Sequence, residues 1–245
     1  MRLFGLIGYP LSHSFSKKYF TEKFEQEGVN DSRYENFSIA SVNELKKILE
    51  DNPDLEGLNV TIPYKEQVIR FLHESSDTIK QVGACNCIKI ISGKLYGYNT
   101  DVTGFEKTLN EKLLPHHQKA LVLGSGGASK AVRFVLKKKG IEFIVVSRSN
   151  NPHFISYEEL TNEIIQDHTL IINTTPLGMQ PHPDLYPSIP YFALTTQHYL
   201  FDLIYNPAKT LFLQQGEEKG AAIQNGAEML VIQAEESWKI WNTPN

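Results

Sequence analysis

The chain has 245 residues, 41 % of them hydrophobic and 21 % charged, the balance of a globular protein with a substantial buried core. A formal charge of −4 gives no basis for a nucleic-acid partner. No apolar run approaches the roughly 20 residues that cross a bilayer, so no membrane segment is expected.

The opening run from Met1 to Ser14 reads as a strand and loop, since it has neither a long apolar segment nor a small-residue cleavage site; a cytoplasmic protein is expected. Short apolar runs rich in β-branched residues predict strands at 3–8, 34–39, 58–61, 84–90 and 95–98. Amphipathic stretches among them predict helices at 15–27, 42–51 and 65–73. Past a helix predicted at 102–112, strands follow at 119–124, 142–147, 170–173, 199–202 and 221–224, with helices at 129–139 and 208–215. A last helix is predicted at 227–241, and spacing leaves open which part of the molecule it covers. Strands alternating with helical stretches of about a dozen residues argue βαβ units and a largely parallel sheet. The first half holds five predicted strands of its own, so one sheet would be unusually wide, and the chain is divided near residue 101. The proline-rich piece 176–190 reads as an irregular loop. Cys85 and Cys87 form neither a redox pair nor a zinc set, so reduced thiols and no metal are expected.

Gly124-Ser125-Gly126-Gly127-Ala128 follows a predicted strand and opens a predicted helix, the context that gives a glycine-rich turn meaning. Gly124 suits the tight turn, Gly126 lets a pyrophosphate approach the backbone, and the helix N-terminus supplies N–H groups. Ser129 departs from the strict pattern at the third small position. The next predicted strand ends at Ser147-Arg148-Ser149, where an NAD-binding unit places a carboxylate for the ribose hydroxyls. A guanidinium flanked by hydroxyls instead suits the 2′-phosphate of NADP.

Polar clusters also punctuate the first hundred residues. Ser14 and Ser16 suit helix capping or a ligand carboxylate equally. Alternation puts Asn59 and Thr61 on one side of a strand end, and Lys65 opens the next predicted helix, where the dipole disfavours a cation. Asp101 reads as a helix cap on its own. A lysine and a carboxylate at one cleft can hold each other's protonation state and pass a proton to a carbonyl oxygen.

In this order, His13-Ser14-Phe15-Ser16, the run Asn59 to Lys65, Gly83-Ala84 with Asn86, Asn99-Thr100-Asp101 and Gly124 to Ala128 resemble the shikimate dehydrogenase family. The likeness continues through Asn173 to Met179, Asp202 to Pro207 with Thr210, and Gly226 with Met229, Leu230 and Gln233, covering nearly the whole chain. The resemblance implies an α/β protein of two domains. One is a substrate-binding catalytic α/β domain with a mainly parallel sheet, residues 1–101 plus 226–245, so that the last helix packs on it. The other, 102–225, is a Rossmann-like NADP-binding domain. The implied activity is the reversible NADPH-dependent reduction of 3-dehydroshikimate to shikimate in chorismate and aromatic amino acid biosynthesis, by a monomer or homodimer whose partner is a small molecule.

By the same resemblance, Lys65 and Asp101 form the catalytic pair, Lys65 giving the proton and Asp101 orienting it. Ser14, Ser16, Asn59, Thr61, Lys65, Asn86, Asp101, Tyr205 and Gln233 line the substrate site. Gly124, Ser125, Gly126, Gly127, Ala128, Ser147, Arg148, Thr175, Gly226 and Met229 hold the cofactor. The chain departs from the family pattern at Lys17, Lys18, Phe20 and Val102, and lacks a common second arginine after Arg148, which bears on cofactor strictness. A quinate/shikimate dehydrogenase with relaxed cofactor use, or a non-catalytic ligand sensor, are the alternatives; retention of Lys65 with Asp101 speaks against the sensor.

Overall fold

Leu3 to Ile7 alternates its side chains across a sheet, and each set meets its own core. Leu3 and Ile7 pack with Leu58, Val60 and Ile88, while Phe4 and Leu6 pack with Phe20, Phe24, Tyr34 and Trp241. The structure, a computed structural model, describes residues 1–11, 15–148 and 151–244 and divides into two units, Met1–Thr100 with Gln233–Asn245 and Asp101–Ile232.

The first unit contains β1 (Arg2–Gly8), α1 (Phe15–Glu27), β2 (Ser32–Ser38), α2 (Leu45–Asp51), β3 (Leu55–Val60), β4 (Glu74–Ser75), α3 (Asp77–Val82), β5 (Cys87–Ile91) and β6 (Lys94–Tyr98). Its strands run in the order β2-β1-β3-β5-β6-β4. The pairs β1–β2, β1–β3 and β4–β6 are parallel, whereas β5 runs antiparallel to both β3 and β6.

The second unit contains α4 (Asp101–Asn110), β7 (Lys119–Leu123), α5 (Gly127–Lys138), β8 (Glu142–Val146), α6 (Asn162–Asp167), β9 (Leu170–Asn173), β10 (Tyr199–Asp202), α7 (Leu211–Glu218) and β11 (Ala222–Gln224). It also contains the start of α8 (Ala227–Asn242), which from Gln233 onward belongs to the first unit. The order β11-β10-β9-β7-β8 is parallel throughout. Ala120–Leu123, Leu170–Ile172 and Tyr199–Phe201 are each fully buried, the continuous apolar run of a sheet covered on both faces. The chain lays β8 on one side of β7 and then crosses to lay β9 on the other. That reversal sets the carboxyl ends of β7 and β9 side by side, forming the crevice in which open α/β sheets take ligands.

Some elements differ from expectation. The helix predicted at 65–73 is a short 3₁₀ segment, Gln67–Phe71, with Lys65 in the turn before it. The helix predicted at 208–215 starts later because Thr210 caps it, its side chain accepting the Leu213 N–H at 3.4 Å. The brief α3 and α6, capped by Ser76 and Thr161, are too short for periodicity to reveal. No described helix is long and apolar enough to cross a membrane.

Candidate active site

In the first unit, strand register aligns Tyr34 with Phe4 and Asn59 with Leu6, and these polar side chains meet α8. The Tyr34 hydroxyl donates to Asn59 Oδ1 at 2.8 Å. Asn59 Nδ2 donates to Ser237 Oγ at 2.9 Å and to the Asn86 carbonyl at 3.3 Å. Asn86 Oδ1 accepts the Thr100 N–H at 2.6 Å, and its Nδ2 donates to Thr100 Oγ1 at 3.0 Å and Gln233 Oε1 at 3.4 Å. All are buried, Gln233 being the most accessible at 7 %. Buried amides and hydroxyls are costly unless paired, so this network holds together only as a connected set.

Ser16, near the start of α1, hydrogen-bonds the Tyr34 side chain, while burial pushes the Tyr34 hydroxyl well above its ordinary range and keeps it neutral. Past β3, the Thr61 N–H donates to the Ile7 carbonyl at 2.9 Å, and the Lys65 carbonyl accepts from the Cys85 N–H at 2.7 Å. The half-buried Lys65 is thereby stitched to the segment that carries Asn86. Asn59 stands apart from the expected lining residues, since its carboxamide is spent inside the protein and gives it a supporting place. Ser14 lies outside the described residues.

Asp101 opens α4 in the second unit and is 6 % exposed, its carboxylate in a first helical turn where the dipole favours an anion. Gly124, after β7, has φ +106, and a Cβ there would come within 2.7 Å of Thr174 Oγ1, so only glycine fits. Gly126 precedes α5 without a side-chain cap, which leaves the first-turn N–H groups of Gly127 and Ala128 for a ligand. A Cβ on Gly126 would point into open space. Ser125 and Ser147 hydroxyls meet at 2.9 Å beside the exposed Arg148 that ends the strand; Ser149 lies outside the described residues.

The carboxyl ends of β9 and β10 are locked together. Thr175 donates from its backbone N–H and its hydroxyl to Asn173 Oδ1 at 3.0 and 2.7 Å, and Asn173 Nδ2 donates to Asp202 Oδ1 at 3.0 Å. Thr210 donates to Asp202 Oδ2 at 2.6 Å. Burial pushes the Asp202 carboxyl up to about 6, against the pull of these donors. Tyr205 is half-buried, with its hydroxyl raised by burial. At Gly226 a Cβ would run into the Leu203 carbonyl, so backbone packing alone explains this glycine; Met229, on the following helix, is buried. An uncapped helix start, open space over Gly126 and a strand end bearing hydroxyls and a guanidinium fit a phosphorylated dinucleotide. Among the described residues no group of histidine, cysteine or carboxylate side chains could hold a metal.

Tyr34, Thr100 and Ser237 join the first-unit network without having been singled out as site residues. The one local signal was on α8, where Ser237 interrupts an apolar stripe that includes Ala234 and Trp241.

Residues 6–88 match the family model described as the shikimate dehydrogenase substrate binding domain. A shikimate dehydrogenase (NADP(+)) of Clostridium beijerinckii is 40 % identical, over 98 % of this chain and 92 % of its own length. The crystal structure of shikimate dehydrogenase from Aquifex aeolicus matches with a TM-score of 0.87 at 35 % identity, covering 100 % of this chain and 94 % of the other. That of a shikimate 5-dehydrogenase from Thermus thermophilus in complex with NADP(H) and shikimate matches with a TM-score of 0.87 at 29 % identity, covering 99 % and 94 %. With the paired amides of the first unit and the glycine-rich crevice of the second, these likenesses establish that the chain belongs to the shikimate dehydrogenase family.

Proposed function

We propose that this chain catalyses the reversible reduction of 3-dehydroshikimate to shikimate with NADPH. The observation that carries the reading is the connected set Asn86–Thr100–Gln233, held from behind by Asn59, whose fixed amides and hydroxyl suit a small polyhydroxy acid. The Thermus thermophilus relative's structure, in complex with NADP(H) and shikimate, supports both ligands. Ser14, Ser16 and Tyr205 hold the substrate carboxylate, while Thr61, Asn86 and Gln233 hold its ring oxygens. Gly124 to Ala128, Thr175 and Met229 hold the dinucleotide, with Ser147 and Arg148 at its 2′-phosphate.

When bound, the dinucleotide supplies the hydride that goes to the ketone carbon. Lys65 donates the proton that the ketone oxygen takes up, so one hydride and one proton convert the C=O to CH–OH. Asp101 accepts a hydrogen bond from a substrate hydroxyl, fixing the ring. The oxidation of shikimate runs the same transfers backwards, with Lys65 as base. Free, buried Cys85 and Cys87 fit a reducing compartment such as the cytoplasm.

The test is kcat/KM for shikimate and quinate, each with NADP⁺ and NAD⁺, followed at the nicotinamide absorbance band. Shikimate with NADP⁺ is expected to lead. A preference for quinate or NAD⁺ would shift the assignment to the quinate branch of the family, and binding of both ligands without any absorbance change would overturn the enzyme reading.

A further inference from the structure

The Asn86 amide can be oriented without ambiguity. Its Oδ1 meets the backbone N–H of Thr100 at 2.6 Å, and an N–H can only donate. Nδ2 therefore faces Thr100 Oγ1 at 3.0 Å and Gln233 at 3.4 Å. Because Nδ2 is a donor, the Gln233 atom it meets must be the oxygen, and Thr100 Oγ1 lies 3.5 Å from that same oxygen. With Oε1 turned inward, Nε2 lies on the far side of the amide carbon.

The hydroxyls behind reinforce this direction. Ser237 sends its proton to the Gln233 backbone carbonyl at 2.8 Å and accepts from Asn59 Nδ2 at 2.9 Å. The Thr100 hydroxyl accepts from Asn86 Nδ2, and its own proton has oxygens to go to at Ser237 and Asn86 Oδ1, both at 3.3 Å, and at Gln233 Oε1, at 3.5 Å. Neither amide, Asn86 nor Gln233, can flip without setting donor against donor, and Thr100, 1 % exposed, stands where the chain branches.

We propose that Thr100 is a positioning residue which, together with the Asn86 carboxamide, locks Gln233 with its N–H₂ end toward the ligand. Gln233 then acts as a donor only, and the ligand oxygen it meets must be an acceptor. This assignment rests on the shikimate reading above. A site holding its amide in one orientation discriminates more sharply than one in which the amide can flip, because a ligand presenting a donor leaves two N–H groups opposed.

The experiment is a double-mutant cycle on the whole enzyme, reading kcat, KM and the shikimate dissociation constant by calorimetry for Thr100→Val, Gln233→Ala and the double variant, with Thr100→Ser as the rescue. Gln233→Ala is expected to raise the dissociation constant about tenfold and Thr100→Val about three- to tenfold. In the Gln233→Ala background, Thr100→Val should add nothing, whereas Thr100→Ser with Gln233 intact should bind near-normally. A general packing loss would instead be additive and would move the cofactor KM as well; either result overturns the assignment. Gln233→Glu checks the orientation without touching Thr100. It keeps an inward oxygen for Asn86 but replaces the outward N–H₂, so it should fold normally and lose shikimate affinity at least as far as Gln233→Ala. Retained affinity in Gln233→Glu overturns the lock. Wild-type enzyme that neither binds nor turns over shikimate overturns the underlying function reading as well.

Discussion

Lys65 sits in a turn whose carbonyl is tied to Cys85, so the stem of its side chain starts from a fixed point beside Asn86. General acid assistance is typically worth about 10²–10⁴-fold, and Lys65→Ala should lower kcat by that factor while leaving the shikimate dissociation constant nearly unchanged. Steady-state rates with calorimetry decide it, and near-normal turnover would remove Lys65 from the proposed chemistry. Asp202 offers a test of a different kind. Its folded-state value of about 6 lies above the ordinary 3.8, so folding favours the protonated form. That stabilisation is complete below about pH 4 and is lost as pH rises through 6, a change of about 3 kcal/mol. Asp202→Asn cannot ionise. Thermal unfolding should show the variant gaining on the wild type by about 2 kcal/mol of this between pH 4.5 and 7.5, whereas a gap independent of pH would contradict the buried titration. Lys65 stood out in the sequence as a cation opening a predicted helix, and Asp202 only within the run that carries the resemblance. Asn59 looked equally accessible, because alternation assigns a side chain to a face of a sheet but not to what covers that face.

Among the elements, α8 closes the aromatic side of the first unit's sheet. Trp241 lies flat over Gly57 of β3, where any Cβ would collide with the indole, and its Nε1 donates to the Ile88 carbonyl at 3.0 Å. The same ring stacks on Phe4 with centroids 4.9 Å apart. Gly57→Ala should therefore overpack and destabilise by about 1–3 kcal/mol, and Trp241→Ala by about 3–5 kcal/mol through the cavity and the lost indole hydrogen bond. Chemical denaturation with unchanged m-values would check both; a neutral Gly57→Ala would mean that α8 can ride up from the sheet. The parallel strands β7, β9 and β10 were plain in the sequence because strands buried on both faces read as unbroken apolar runs. The two-residue β4 and the six-residue α3 were hidden because each is made by a tertiary partner or a cap and is too short to carry a period of its own.

At the scale of the molecule, the two units differ in how they use the chain. Residues 101–232 are contiguous and bring their own core, in which Leu121, Ile171 and Leu200 of the sheet pack against Phe212 and Leu213 of α7. The first unit is discontinuous, because Ala234, Ser237 and Trp241 arrive from the far end of the sequence to complete the cluster of Phe4, Phe20 and Tyr34 and to receive the Asn59 amide. Spacing could not assign that last helix, since its apolar stripe would serve either sheet. The specific pairing lies in contacts such as Asn59 with Ser237, separated by 178 positions. The difference predicts how the chain divides. A fragment of residues 101–232 should unfold cooperatively by itself, with the parallel sheet intact by circular dichroism. A fragment of residues 1–100 should remain largely unfolded, for it leaves an aromatic cluster uncovered and a buried amide without its hydroxyl partner. Adding a peptide of residues 227–245 should then induce strand signal and protect the β1 and β3 amides from exchange, and a Trp241→Ala version of the peptide should not. If residues 1–100 folded unaided, α8 would be a cover on a finished core, and the Asn59–Ser237 contact would contribute little to either stability or the site above it.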